Sequence, residues 1–436
     1  MDLVTSNCLA NGKELTVDEV TRLKEMNKLF THVLYGGKNK ITFLTSSETI
    51  DQTHIYMSLD EFIHYTSDLP VIGGSNAGRA WTRWAGKNKK LGGVGFYPNQ
   101  DKCPVSFFNT YIKPSIKSIK GDCSIYLAHV HDVICDSDQK AYEYLIQYFA
   151  HIVQRPEEKP NVAIVMKSVE GTGKGTMMKP LLQIFGAQGI HINGDRHLTG
   201  QFNSATANKL LVFADEVNLT SHIIADKIKG IISESTVQME KKGLEAIAIP
   251  NYARVVFASN RSHVIKAGTK ERRYLVLEPS SRMAQNTLYF ERLNQWINNR
   301  GAQALLYYLL NIDLEKFNPF KAPSTSALID QKLQSFNNAH QYVYEQLVNH
   351  ADFAKAARIN APKIIDEFHK WCGVRNIGIT PASARSQLGK LFTAIAGPSS
   401  GRSDRDGGKV YELPTIQVMR EKFAQQLNLE AQDIFD

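Results

Sequence analysis

The sequence has few cysteines and no long apolar run, and each scarcity excludes a class of protein. Its five cysteines are scattered, odd in number and form no CxxC pair. This pattern argues against a disulfide framework, so we expect a reducing, cytoplasmic environment. No apolar run approaches the roughly 20 residues of a membrane span, and we expect no membrane partner. The first ten residues, MDLVTSNCLA, lack the basic start and apolar middle of a signal peptide.

Charge of either sign is also modest. The 436 residues hold 51 Lys and Arg against 43 Asp and Glu, a net charge of +8. This excess fits a nucleic-acid partner without requiring one. Hydrophobic residues make up 43% and charged residues 22%, which excludes a mainly disordered chain and a coiled-coil rod. At roughly 100–200 residues per domain, the chain is long enough for two to four domains.

Changes in pattern along the chain predict three regions. An N-terminal α+β region includes a helix at Val17 to Leu29 and ends before the helix-breaking string RPEEKP. Short apolar strands then alternate with helical stretches, which predicts a three-layer α/β domain with a mainly parallel sheet. A polar, Pro-containing linker, NPFKAPSTS, precedes a region of short helices and a hairpin-like end. The predicted boundaries are 1–155, 156–317 and 327–436.

The strongest motif is KSVEGTGKGT, Lys167 to Thr176, between an apolar strand and a helix. This context is typical of a phosphate-binding loop, in which glycines let backbone N–H groups converge on phosphate oxygens. Ser168 stands where the first glycine is usual, and Gly175 follows the lysine. The hydroxyl for Mg²⁺ is therefore expected one residue late. The predicted binding residues are Gly171, Thr172, Gly173, Lys174, Gly175 and Thr176, with Lys174 reaching the β- and γ-phosphates.

Polar residues end two later apolar strands. LLVFADE ends in Asp215 and Glu216, and RVVFASN ends in Asn260. Beside a phosphate loop, Asp215 is expected to join Thr176 in the Mg²⁺ shell and Glu216 to act as general base on water. Asn260 is expected to contact the γ-phosphate or position the water. ERRYLVLEP then supplies Arg272 and Arg273, of which one can stabilise transition-state charge across a subunit interface.

This order of motifs resembles the superfamily 3 helicase domain of phage, plasmid and poxvirus primase-helicases. GTGKGT, FADE, a short basic hairpin, FASN and an Arg pair follow one another, and GQFN and MEKKG add support. The resemblance covers roughly residues 145–290. It implies an AAA+-like P-loop ATPase that uses ATP and Mg²⁺ and forms a ring, expected to be a homo-hexamer. Only about 155 residues precede this domain and no convincing polymerase carboxylates occur, so we expect a stand-alone helicase with a separate primase or polymerase partner.

The resemblance also places a central-channel hairpin at Thr236 to Pro250. Lys241 and Lys242 lie near its tip, where they are expected to grip single-stranded DNA. The implied function is replication of a phage or mobile element in a bacterial host's cytoplasm, with 3′→5′ movement on single-stranded and forked DNA.

The last hundred residues favour a winged-helix DNA-binding domain. Helix, helix and hairpin signals follow in that order, and Thr380-Pro381 is a good helix start. Five cations are expected to face phosphates: Arg385, Lys390, Arg402, Arg405 and Lys409. A small protein-interaction domain with an incidental charge bias is the alternative.

Several alternatives stay open at this point. An initiator that melts origin DNA without processive unwinding is one, and a nucleoside monophosphate kinase, favoured only by GKGT, is another. A DNA-binding protein with an inactive nucleotide site is a third. Basic residues around Trp81 and Trp84 contact DNA by charge and stacking, or form a solvated loop over packed tryptophans. Zinc binding by the cluster Cys123, His129, His131 and Cys135 is disfavoured because the two histidines would face different sides of a helix.

Overall fold

The structure, a computed structural model, describes residues 7–45, 54–114, 116–194, 207–220, 222–239, 247–265, 272–349, 358–401 and 409–435. The helices in these ranges are α1 Val17–Leu29, α2 Leu59–Tyr65, α3 Ala77–Arg83, α4 Ser124–Ala128, α5 Gln139–Gln154, α6 Lys174–Phe185, α7 His222–Ser233, α8 Thr287–Trp296, α9 Ala302–Leu310, α10 Ser326–Gln334, α11 Asn338–Val348, α12 Ala361–Val374, α13 Pro381–Ala396, α14 Ile416–Gln426 and α15 Gln432–Phe435. Among these described helices, none combines the length and apolarity that a bilayer crossing requires.

The strands of the described residues fall into five sheets. They are β1 Thr31–Tyr35, β2 Lys38–Leu44, β3 His54–Met57, β4 Lys89–Lys90, β5 Gly93–Gly95, β6 Phe107–Asn109, β7 Ala163–Lys167, β8 Gly189–Asn193, β9 Leu211–Asp215, β10 Thr236–Met239, β11 Ile247–Pro250, β12 Arg254–Ser259, β13 Tyr274–Leu277, β14 Arg358–Asn360 and β15 Val410–Glu412.

The N-terminal region is a small α+β unit. Its sheet has the order β3-β2-β1-β4, antiparallel except for the parallel pairing of β1 with β4. Helix α1 begins with a capping box in which Thr16 and Glu19 satisfy each other's backbone N–H groups, which explains why it starts where the sequence predicts. Trp81 and Trp84 are 0% and 2% exposed and belong to the core of this unit. They are therefore packed residues and cannot stack on bases.

The central sheet carries the fold. Its five strands are all parallel and lie in the order β13-β7-β12-β9-β8. Along β7, Ile164 and Met166 face one core, while Ala163 and Val165 face another. Because successive side chains of a strand alternate between its faces, both faces of the sheet are covered. The prediction of a mixed α/β domain with a parallel sheet is confirmed.

Helices cover both faces of this sheet. The first core includes residues of α5, α6 and α9, and the second includes Ile228 and Ile232 of α7. The first core is continuous across residue 155, because α5 packs into it together with the strands that follow. The domain boundaries predicted from sequence remain predictions.

The C-terminal unit is joined to the sheet through α10. Ala327 and Leu328 belong to the core beneath the sheet, whereas Ile329 belongs to the C-terminal core. The buried Gln331 side chain accepts the Val264 backbone N–H and donates to the Ser262 carbonyl. In this unit β14 pairs antiparallel with β15, and a bridge joins Ser400 to Val410. Helix α13 starts as predicted, with the Thr380 hydroxyl accepting the Ser383 N–H.

Candidate functional site

The glycine-rich loop lies at the carboxyl end of the parallel sheet. It links the end of β7 to the start of α6, the edge at which parallel α/β sheets bind ligands. Gly171 and Gly173 have φ values of +78° and +91°, a conformation that side chains other than glycine rarely adopt. A Cβ on Gly173 would also lie 2.5 Å from the His129 ring. The two glycines are thus required by the shape of the loop.

Lys174 is folded back onto this loop. Its ammonium donates to the carbonyls of Ser168 and Val169 at 3.0 and 3.2 Å, and to the Ser168 hydroxyl at 2.9 Å. Ser168 also shares a 2.7 Å hydrogen bond with the Thr172 hydroxyl. Ser168, which stands where the motif usually has its first glycine, therefore holds both the loop and Lys174 in place.

Carboxylates and an amide surround the same lysine. The Asn260 Oδ1 accepts from the Lys174 ammonium at 2.9 Å, and its Nδ2 donates to Glu170 at 3.3 Å. Burial lowers the pKa of Lys174, and the charges of Asp215 and Glu170 offset part of that shift. The ends of three adjacent strands, β7, β9 and β12, thus converge on one cation, as the sequence analysis predicts for Lys174, Asp215 and Asn260.

Glu216 follows directly after β9. It is exposed, has a φ of +55°, and its backbone N–H donates to the Asp215 carboxylate at 2.9 Å. A left-handed conformation is uncommon for a non-glycine residue and is found mostly where the surroundings impose it. The turn separates the Glu216 side chain from the buried strand and leaves it at the edge of the site.

The residues of the loop fit a nucleotide with Mg²⁺. The first N–H groups of α6 have no partner within the helix, and nothing lies within 4 Å of where a Gly175 Cβ would be. Lys174 is a buried cation for which phosphate oxygens are suitable partners. Thr176 in the first turn of α6 and Asp215 provide the hydroxyl and carboxylate oxygens that Mg²⁺ prefers.

Arg272 and Arg273 lie at the amino end of the parallel sheet, opposite the end that carries the loop. Tyr274, which follows them, pairs with Ala163 at the start of β7, one strand length or about 16 Å from the loop. The Arg273 Nε donates to the Ser233 hydroxyl at 2.9 Å, and Arg272 is exposed. The structure therefore does not bring these arginines to the loop of their own chain.

A histidine–tyrosine pair behind the loop is absent from the predicted site. Tyr289 lies 2.9 Å from His129 Nδ1, and His129 Nε2 lies 3.3 Å from the Gly173 carbonyl. With the proton on Nε2, the tyrosine hydroxyl donates to the histidine and the histidine donates to the loop. Burial lowers the pKa of His129 to about 4, which keeps the ring neutral. His129 is 160 residues from Tyr289, so no local sequence pattern reveals the contact.

The depressed pKa of His129 predicts acid sensitivity. A histidine that ionises at about 4 when folded but near 6.5 when unfolded stabilises the fold fully above pH 6.5. That contribution is lost as the pH falls toward 4, which lowers the free energy of unfolding by roughly 3 kcal/mol. We expect His129→Gln to lose less stability than the wild type between pH 7 and pH 4 in urea unfolding. Equal losses in the two proteins would contradict the assignment.

Part of the chain matches known sequences. A family model described as a family of unknown function (DUF5906) matches residues 166–273, which include the loop and both polar strand ends. The DNA Primase-polymerase of Nitratiruptor phage NrS-1 is 26% identical over 185 residues, or 42% of this chain. The match spans only 26% of that relative's length.

The solved structures extend the likeness to nearly the whole chain. The apo structure of the NrS-1 C-terminal region has a TM-score of 0.69 at 15% identity, covering 92% of this chain and 100% of that one. A second apo form of the same region has a TM-score of 0.68 at 14% identity, covering 90% and 98%. The chain therefore shares the fold of the C-terminal region of a phage primase-polymerase.

The predicted channel hairpin is described only in its strands. Thr236 pairs with Pro250 and Met239 with Ile247 in antiparallel register, as the sequence predicts. Its tip, with Lys241 and Lys242, lies outside the described residues.

The predicted C-terminal cations are only partly brought together. Arg385 and Lys409 line one groove, which Asp366 and His369 share. Lys390 is exposed and lies five residues further along α13, about 140° around the helix from Arg385. Arg402 and Arg405 lie outside the described residues.

Proposed function

We propose that this chain is an ATP-driven DNA helicase used in replication. One observation carries the proposal: Lys174 and Asn260 are joined at 2.9 Å at the carboxyl edge of a parallel sheet, with Asp215 close enough to influence the lysine pKa. A phosphate loop, an acidic strand end and a polar strand end are the three parts of a P-loop ATPase. The β10–β11 hairpin between the acidic and polar strands adds the feature that resembles superfamily 3 helicases.

The chemistry follows from the positions of the side chains. When ATP binds, the Lys174 ammonium exchanges the carbonyls of Ser168 and Val169 for the β- and γ-phosphate oxygens. Thr176 and Asp215 would hold Mg²⁺, which supplies neutralisation of phosphate charge. Glu216 takes the proton of the attacking water, and Asn260 orients the γ-phosphate. Asn260 loses its contact with Lys174 when ATP binds. This loss would couple nucleotide binding to the position of β12, the strand that Asn260 follows.

We further propose that the active form is a ring, expected to be a hexamer. Arg272 and Arg273 stand about one strand length from their own loop, so the transition-state role predicted for one of them requires a neighbouring subunit's nucleotide. ATP would then be hydrolysed at subunit interfaces. Successive hydrolysis would move the Lys241–Lys242 tips and draw single-stranded DNA through the channel, in the 3′→5′ direction that the resemblance implies.

The C-terminal unit fits a winged helix within this proposal. Its order is helix, strand, helix, helix, bridge and strand, from α11 through β14, α12 and α13 to Ser400 and β15. Arg385 and Lys409 would contact DNA phosphates from the groove between α12 and α13. This unit would recruit the ring to an origin or fork, where a separate primase or polymerase acts.

Unwinding of a forked duplex tests the proposal directly. We expect the intact chain to separate the strands with ATP and Mg²⁺. Lys241→Ala/Lys242→Ala should lose unwinding while retaining ATP hydrolysis, because the pair contacts DNA and not the nucleotide. The matched control is Lys316→Ala/Lys321→Ala, which removes two exposed lysines outside the hairpin and should unwind normally.

Each other result leads to a different conclusion. Hydrolysis and duplex binding without any unwinding by the intact protein would favour the origin-melting initiator. DNA-independent phosphoryl transfer to a nucleoside monophosphate would favour the kinase. An equal loss of unwinding in both lysine-pair variants would remove the hairpin from the mechanism.

A further inference from the structure

The chain continues to pair beyond the carboxyl ends of β9 and β12. The Leu219 backbone N–H donates to the Val264 carbonyl at 2.9 Å, so the two segments that leave the sheet run side by side. We call these segments, residues 216–219 and 260–265, the paired turns. The first begins with the proposed general base, and the second begins with the asparagine that contacts Lys174. The relative position of the two turns therefore affects the relative position of two side chains of the proposed ATPase site.

A buried glutamine from outside the sheet holds the second of the paired turns. Gln331 of α10 is 0% exposed. Its Oε1 accepts the Val264 and Ile265 backbone N–H groups at 2.9 and 3.3 Å, and its Nε2 donates to the Ser262 carbonyl at 2.8 Å. Most of the hydrogen-bonding capacity of this amide is thus directed at one turn. Because a buried amide that loses its partners is costly, the glutamine and the turn fix each other's position.

Helix α10 is held from two sides and so gives this glutamine a fixed base. At the start of the helix, the buried Thr325 hydroxyl donates to the Val276 carbonyl of β13 at 2.5 Å. Near its end, the buried Lys332 ammonium donates to the Leu427 carbonyl of the C-terminal unit at 2.6 Å. A shift of α10 would therefore disturb buried contacts with both the sheet and the C-terminal unit.

From these contacts we propose that Gln331 is a positioning residue for ATP hydrolysis. By holding the turn after Asn260, it also holds, through Leu219, the turn that begins with Glu216. Gln331 is fully buried and out of reach of a nucleotide or its attacking water, so it acts only through those two side chains. The proposal rests on the proposed function, because it assumes ATP hydrolysis at the phosphate loop. It adds that the helix joining the C-terminal unit to the sheet sets the geometry of that hydrolysis.

Steady-state ATP hydrolysis by the full chain without DNA tests the proposal. Gln331→Met keeps the length of the side chain but removes the amide that bonds to the turn. We expect kcat to fall by about tenfold to 10²-fold, because a displacement of about 1 Å caused far from the chemistry can have an effect of that size. The affinity for ATP, measured with a non-hydrolysable analogue, should stay within about twofold of the wild type, because the phosphate loop and Lys174 are unchanged.

A second buried amide provides the matched control. Asn251 is 5% exposed and lies just before the amino end of β12, away from the phosphate loop. Its Nδ2 donates to the Ile231 and Glu234 carbonyls, and its Oδ1 accepts the Ala253 backbone N–H. Asn251→Leu therefore removes a buried amide with as many backbone partners as Gln331 has. It should lower the free energy of unfolding to a similar extent, while its kcat stays within about twofold of the wild type.

Hydrogen exchange at single-residue resolution tests the same link in the wild type, without any substitution. The Val264 amide should exchange as slowly as the amides of β12, because it donates to a buried acceptor. In Gln331→Met it should exchange faster, since that acceptor is gone.

The outcomes separate this proposal from the proposed function. A wild type that does not hydrolyse ATP would overturn the proposed function, and the role of Gln331 with it. With an active wild type, a normal kcat in folded Gln331→Met would overturn the role of Gln331 alone. An equal loss of kcat in Asn251→Leu, or a parallel loss of ATP affinity in Gln331→Met, would also overturn it, because the effect would then be one of general stability. Fast exchange at Val264 in the wild type would overturn it as well.

Discussion

Lys174→Ala is expected to abolish ATP hydrolysis and, with it, strand separation. The wild-type ammonium is buried at the loop and already contacts two carbonyls, a hydroxyl and the Asn260 amide oxygen. In the proposed ATPase, its removal would leave the ATP phosphates without the one lysine of α6 that contacts the loop. Loss of one preorganised electrostatic contact typically costs about 10²–10³ in rate, and we expect at least that here. Release of inorganic phosphate at saturating ATP measures the effect.

A lysine on the same helix provides the matched control. Lys179 is exposed on α6 and donates to Asn294 at 3.0 Å, away from the loop. Lys179→Ala should hydrolyse ATP at the wild-type rate. Because a buried lysine also affects packing, Lys174→Met, which keeps most of the volume, should fold normally and be as inactive as Lys174→Ala. Hydrolysis by a folded Lys174→Met protein within tenfold of the wild type would refute the role proposed for Lys174.

Local features of the fold follow from the sequence because they depend on neighbouring residues. The helix at Val17–Leu29 has its capping box within four residues, and Thr380 caps α13 over the same distance. Strands β10 and β11 pair, and the alternating patterns of both lie within fifteen residues of sequence. The loop and the two polar strand ends converge because parallel strands share a carboxyl edge.

Contacts between distant segments could not be derived in the same way. His129 meets Tyr289 only because α8 packs beside the segment that contains His129, and nothing in either local sequence indicates it. Glu170 is not among the site residues predicted from the sequence, although it lies within the loop motif and contacts Asn260. Lys89 lies beside His32 only through the parallel pairing of β1 with β4, which neither local sequence indicates. Trp81 and Trp84 lie among basic residues in the sequence but are buried in a core that includes residues of α1 and α2. The local sequence pattern does not reveal this burial.

Glu216→Gln is expected to stop hydrolysis while leaving ATP binding intact. The substitution keeps the size of the side chain but removes the carboxylate that is proposed to accept a proton from water. Loss of a general base typically costs about 10²–10⁴ in rate. Lys174 and Asp215 remain in place, so a fluorescent ATP analogue should bind with an affinity close to that of the wild type. The left-handed backbone at position 216 imposes a similar strain on either side chain.

Glu170 provides the decisive comparison, because it is a second carboxylate at the same loop. Its Oε1 accepts from Asn260 Nδ2 at 3.3 Å, and its charge influences the Lys174 pKa. If Glu216 is the base, Glu170→Gln should retain hydrolysis to within about tenfold, since it removes one hydrogen bond to Asn260 and no proton acceptor. The reverse result, an inactive Glu170→Gln and an active Glu216→Gln, would transfer the role to Glu170. The base would then lie on the phosphate loop itself, and Asn260 would act by orienting that carboxylate.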